Sequence, residues 1–186
     1  MISYMLCKDL INQDEKEVRM KESEDIKRKP TIIKAGEQDP VELGGVGIHW
    51  KIHGAETDDR FSIVHHPMAP KTLAAPLHYH HREDEYSYII KGRMGALLGE
   101  EVVVAEAGSW VYKPAKQWHT FWNAGDTTCE IIEVISPAGF ENFFKEIAEV
   151  WDGDDKDAAH LMDKYDLKMD FDSVPGLCER FGLNYP

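Results

Sequence analysis

Between Leu77 and Gly92 the chain reads LHYHHREDEYSYIIKG. His78, His80, His81, Glu83, Asp84 and Glu85 all fall within nine positions of this stretch. Imidazole nitrogens and carboxylate oxygens are the donors that divalent transition metals take. Side chains alternate along a β-strand, so His78 and His80 point the same way and His81 the other. Two imidazoles on one strand face form a bidentate clip, and a carboxylate must return from the following turn or strand to extend it. Glu83, Asp84 and Glu85 qualify by proximity. Glu85 ranks first because it opens the apolar run YSYII. A further donor lies in GSWVYKPAKQWHTFWNAG, where His119 follows a proline-containing turn and enters WHTFWN. His119, Phe121 and Asn123 share one face of that strand; Trp118, Thr120 and Trp122 share the other.

The elements around these residues read as short strands. From about Thr31 to Glu133, GVGIHWKIH, RFSIVHH, EYSYII, EVVVA, SWVYK and CEIIEVI are separated by Gly, Pro and Asp punctuation. That spacing predicts an antiparallel sandwich or barrel. In EYSYII, Glu85, Ser87 and Ile89 share one face and Tyr86, Tyr88 and Ile90 the other. Both faces are largely apolar, which predicts cover on both sides: the barrel interior on one, and a dimer partner or an N-terminal segment on the other. After Ser136 the period changes. Phe140, Phe143, Phe144, Ile147 and Trp151 recur at helical spacing, with Ser136 as cap and Pro137 in the first turn. A second helix is expected over 157–167, and a third from Ser173 to Gly182. Before the strands, residues 14–29 carry twelve charges, six of each sign, and read as a solvated helix or tail.

The ligand spacing resembles the cupin superfamily, whose first motif is G-x5-H-x-H-x3/4-E-x6-G. Here it is met by His78, His80, Glu85 and Gly92. The second motif, G-x5-P-x-G-x2-H-x3-N, is met by Gly108, Pro114, His119 and Asn123. Thr72 and Lys116 stand where two turn glycines would be. The resemblance implies an all-β core folded as a cupin double-stranded β-helix, or jelly-roll barrel, with C-terminal α-helices. It divides the chain into a charged N-terminal arm (1–30), the barrel (31–140) and a helical extension of the same domain (141–186). It further implies that His78, His80, Glu85 and His119 hold one divalent transition metal (Fe, Mn, Ni, Co or Zn), with His81, Glu83 and Asp84 as bystanders. Phe121 shares the parity of His119 and is the expected substrate-binding side chain.

The tail SPAGFENFFKEIAE looks like that of single-domain, quercetin-dioxygenase-like cupins. The function this implies is a metal-dependent dioxygenase acting on a small aromatic or enolisable molecule, with Glu85 as ligand and proton acceptor. The alternatives are a non-redox isomerase or decarboxylase, and a binding or sensing module without turnover. Cupins often pair through their sheets, so a homodimer is expected.

Other features bound the reading. His65 and His66 read as structural or exposed. His49 and His53 lie on a strand pattern rather than a helix and do not suggest a second metal site. WDGDDKDAA lacks the spacing of a calcium loop and reads as an acidic helix start. Trp50, Phe61, Trp110, Phe121 and Trp122 are candidates for the barrel interior. The formal charge of −13 argues against nucleic acid or an anionic membrane as partner. Three widely spaced cysteines give no disulfide framework. With no signal peptide and no apolar run near the ~20 residues of a membrane span, a cytoplasmic protein is expected.

Overall fold

Strands whose buried and open residues alternate build most of the molecule. A computed structural model describes residues 30–34, 36–37, 40–150 and 155–185. The charged stretch 14–29 and Cys7 lie outside the described residues.

One sheet has six strands in the order β1 (Val41–Leu43), β2 (Val46–Ile52), β3 (Ser62–Met68), β10 (Cys129–Ser136), β5 (Asp84–Lys91) and β8 (Trp110–Lys113). The other has five: β11 (Leu167–Asp170), β4 (Leu77–His80), β9 (His119–Asn123), β6 (Arg93–Leu98) and β7 (Glu101–Glu106). All paired strands run antiparallel. Val64, Met68, Ile89, Met94, Phe121 and Ile131 form much of the apolar core.

The inward parity of the six-stranded sheet also carries polar groups. His66 on β3, Glu85 and Ser87 on β5, Lys113 on β8 and Glu133 on β10 are all buried. Register places Glu85 opposite Lys113, and Ser87 opposite Glu133. This polar patch inside an otherwise apolar barrel is where the site lies.

Loop backbone brings the strand ends together. Gly92 turns β5 into β6 at φ 79°, and a Cβ there would stand 2.9 Å from the Cys129 Cα. Lys116 adopts φ 66° at the position where the motif has glycine. Its N–H donates to the His80 carbonyl at 2.7 Å, so the proline turn is tied to β4 despite the missing glycine. Asn123 donates to the carbonyls of Met68, Ala69 and Thr127, closing the far end of β9.

The C-terminal segment differs from expectation in two respects. Ser136 is not a helix cap: it ends β10, and its hydroxyl donates to the Arg60 carbonyl at 2.9 Å. The helical turn begins at Phe140 behind Gly139, and α1 covers Phe143–Val150. Helix α2 spans Asp155–Lys164, ending before residue 167. The chain then enters β11, which pairs with β4 so that Leu167 faces His80 and Met169 faces His78. LKMD alternates at period two, but over four residues only. Helix α3 spans Ser173–Phe181 and ends at left-handed Gly182, as expected.

Aromatic placement follows parity. Trp50 is buried and its indole donates to the Glu141 carbonyl at 2.8 Å. Phe61 is half-buried. Trp110 is not interior: it is 63% exposed. Trp122 is buried on the outer side of its sheet, stacked on Phe181 of α3. On the outer face of β5, Tyr86 stacks on Tyr112, Tyr88 packs at a tilt against Trp110, and Ile90 is exposed. Cys129 and Cys178 are free thiols. Among the described residues, no helix is long and apolar enough to cross a membrane.

Candidate metal centre

Period-two alternation places His78 and His80 together on the inner face of β4, and register puts His78 directly opposite His119 on β9. Glu85 enters from the facing sheet on β5. Ligand atoms of His78, His80, Glu85 and His119 lie within 4.8 Å of one another, and all four residues are buried. The sequence reading of these four as one cluster is what the fold brings together.

The outer nitrogens of two of the three rings are aimed at acceptors. His78 Nδ1 lies 2.8 Å from the Pro76 carbonyl, and His119 Nδ1 lies 2.9 Å from that of Gln117. Donation by those nitrogens leaves each Nε2 with a lone pair facing inward. His80 Nε2 is 3.3 Å from Glu85 Oε1, and His119 Nε2 is 3.3 Å from Glu85 Oε2. Neither Nε2 makes a hydrogen bond. The His119 lone pair, facing a carboxylate oxygen at that distance, is repelled unless a cation sits between them. Burial, with the neighbouring imidazoles, holds His78 well below the usual histidine range. Burial likewise takes His80 down to about 4. Neutral imidazoles and an ionised carboxylate are the forms a divalent metal binds. The donor set therefore fits one such ion.

Two residues beside this cluster escaped the sequence reading. Lys113 is fully buried, with Nζ 2.9 Å from Glu85 Oε2 and 3.0 Å from each oxygen of Glu133. Ser87 donates to Glu133 at 2.9 Å. Burial alone would push the Glu85 carboxyl up, but the Lys113 ammonium holds it well below the carboxylate range. Burial also works against the Lys113 charge, and the two carboxylates outweigh it, so its pKa is raised. Burial raises Glu133, which is the more readily protonated of the two acids. Lys113 Nζ also lies 4.4 Å over the Phe121 ring.

The expected bystanders hold distinct places. His81 is at the surface with Asp166 and Tyr79. Asp84 accepts from the Ala115 N–H at 2.8 Å and from the hydroxyls of Tyr86 and Tyr112, tying the start of β5 to the turn before His119. Glu83 is buried, pairs with Arg82 at 3.2 Å, and sits 3.9 Å from His80 Nδ1. The histidine pairs also separate. His66 is buried with Nδ1 3.1 Å from the Gly47 carbonyl, and burial lowers it to about 4. His65 packs outside with Glu130 and His49. His53 is exposed and stacks on Trp50.

A cavity of about 70 Å³ adjoins the cluster; His66, His78, Glu85, Phe121, Glu133 and Phe140 are among its walls. A second cavity of about 210 Å³ lies next to it, roofed by α1, α2 and β11.

A two-sheet antiparallel barrel with three histidines and a carboxylate converging inside it is the cupin fold. Residues 64–135 match the cupin domain family. Similar solved structures include KdgF from Halomonas sp. (TM-score 0.54, 18% identical, covering 60% of this chain and 96% of that one). A predicted oxalate decarboxylase from Thermotoga maritima is also similar (TM-score 0.54, 19% identical, 57% and 99%). So is a Streptomyces Pac13 variant with uridine (TM-score 0.50, 16% identical, 61% and 87%). At these identities the likeness concerns the fold. No curated protein matches the chain.

Proposed function

We propose that the protein is a metal-dependent oxidoreductase, a dioxygenase of the quercetin-dioxygenase-like kind, acting on a small aromatic or enolisable molecule at His78, His80, Glu85 and His119. The observation that carries this reading is the meeting of inward imidazole lone pairs and an ionised carboxylate in a buried, aromatic-walled cavity. A divalent metal held there would polarise a substrate oxygen and, if redox-active, serve the reaction with dioxygen. Glu85 has a second task as proton acceptor from the substrate, and Lys113 keeps it ionised for that. Phe121 packs against the substrate, its ring fixed under Lys113. His66 stays neutral in the cavity wall.

A non-redox isomerase or decarboxylase is the second reading, and the buried Lys113–Glu133 pair favours it. An ammonium and a raised carboxyl beside the cavity suit proton transfer without oxygen. KdgF, the predicted oxalate decarboxylase and Pac13, a nucleoside dehydratase, share the fold. The test is an oxygen electrode and a product assay on iron-, manganese- and nickel-loaded protein over a panel of catechols, flavonols and 1,3-diketones. Oxygen uptake matched to substrate loss supports the dioxygenase. Substrate loss without uptake supports the second reading.

The same proposal includes a cytoplasmic homodimer with the small molecule as its substrate and no nucleic acid or membrane partner. It keeps the division into arm, barrel and helical extension at residues 30 and 140.

A further inference from the structure

The cavity at the ligand cluster is small. At about 70 Å³ it has room for only a few waters, at roughly 30 Å³ each. Small-molecule sites run roughly 300–1,000 Å³. The neighbouring cavity of about 210 Å³ supplies the missing space. The two share Leu43, Ala74, Ala75, Phe143, Phe144 and Met169 as walls, so a thin apolar partition is all that divides them.

Their linings differ in kind. The inner cavity carries His66, His78, Glu85 and Glu133. The outer one adds Ile147 and Ala148 of α1, Met162 of α2 and Phe171 just after β11, with Glu42 as its one charged lining residue. Water in a largely apolar chamber is readily displaced by an apolar group. The Met162 and Met169 side chains adapt to the shape of what enters. β11 carries Met169 into the partition and pairs with the strand that bears His78 and His80, so one element borders both chambers.

We infer that the substrate is an amphipathic small molecule in two parts: a compact oxygen-donor head at the His78, His80, Glu85 and His119 cluster, and an uncharged apolar tail in the chamber under α1 and α2. The tail is a medium alkyl chain or a single ring by volume. The inference rests on the metal reading for its head and on the outer cavity for its tail.

The two halves are tested separately. Straight-chain hydroxamic acids from acetohydroxamate to octanohydroxamate are titrated into cobalt-loaded protein by calorimetry. Affinity rises about fourfold per methylene over the first several carbons, since each buried methylene contributes roughly that factor. Ala148→Trp, which fills the outer chamber, flattens the rise and leaves acetohydroxamate binding unchanged. Met162→Trp does the same and stands in should the first variant fold poorly. Equal affinity along the series in the parent protein, or the same rise in both variants, overturns the inference. In metal-free protein, 1-hexanol shifts the methyl NMR signals of Met162 and Met169 ahead of the other methionines; no shift there also overturns it. Methyl shifts with no hydroxamate bound by the cobalt-treated protein would sink the metal reading and leave the tail chamber standing.

Discussion

Lys113 is the residue on which the electrostatics of the site turn. It stands between two buried carboxylates, and removing one partner of such a network costs about 3–5 kcal/mol because the remaining charge is left buried. Lys113→Met is predicted to lose about that much stability in urea denaturation, and Lys113→Met with Glu133→Gln to recover part of it. His66 gives a pH signature. Its folded pKa of about 4 lies below the ordinary 6.5, so between those values the unfolded chain takes a proton that the folded chain refuses. Its contribution is present above pH 6.5 and is lost as pH falls toward 4, roughly 3 kcal/mol in all. Urea midpoints of metal-free protein should fall over that window, and less steeply in His66→Gln. His78 and His80 were legible from strand parity, and the resemblance to the cupin motifs supplied the full set with Glu85 and His119. Lys113 and Glu133 were not singled out, although a signal was there: each sits at inward parity, Lys113 two residues from Val111 and Glu133 between Ile131 and Ile135. A charge on an apolar face calls for a buried partner, and only the fold shows which one.

Among the elements, the turns test how far the barrel depends on its loops. Lys116 holds a left-handed backbone that costs a residue with a side chain about 1–2 kcal/mol, part of which glycine gives back through its freer unfolded chain. Lys116→Gly is predicted to raise stability by up to about 1 kcal/mol in thermal unfolding, with metal stoichiometry unchanged. The strands were legible from alternation and turn residues, and α3 from its serine start and glycine stop. β11 was passed over because a four-residue strand between two helices offers too short a run for its period to stand out. The start of α1 was misplaced because Ser136 continues the alternation of β10 and belongs to the strand.

At the scale of the whole molecule, the outer face of β5 and β8 presents Trp110, Tyr112 and Ile90 to solvent. If a second copy covers it, light scattering gives twice the 21.3 kDa chain mass, and Trp110→Lys with Tyr112→Lys gives the single mass. Sequence alone showed the apolar parity of that face but not what covers it, because a partner leaves no periodicity of its own. The central claim is the metal centre, and metal content tests it most directly. Protein purified without an affinity metal column is analysed by mass spectrometry beside a His78→Ala/His80→Ala control. The account predicts about one transition-metal ion per chain, absent from the control, since four donors converge on a single position. A chain that carries no metal and takes none up on reconstitution would contradict it.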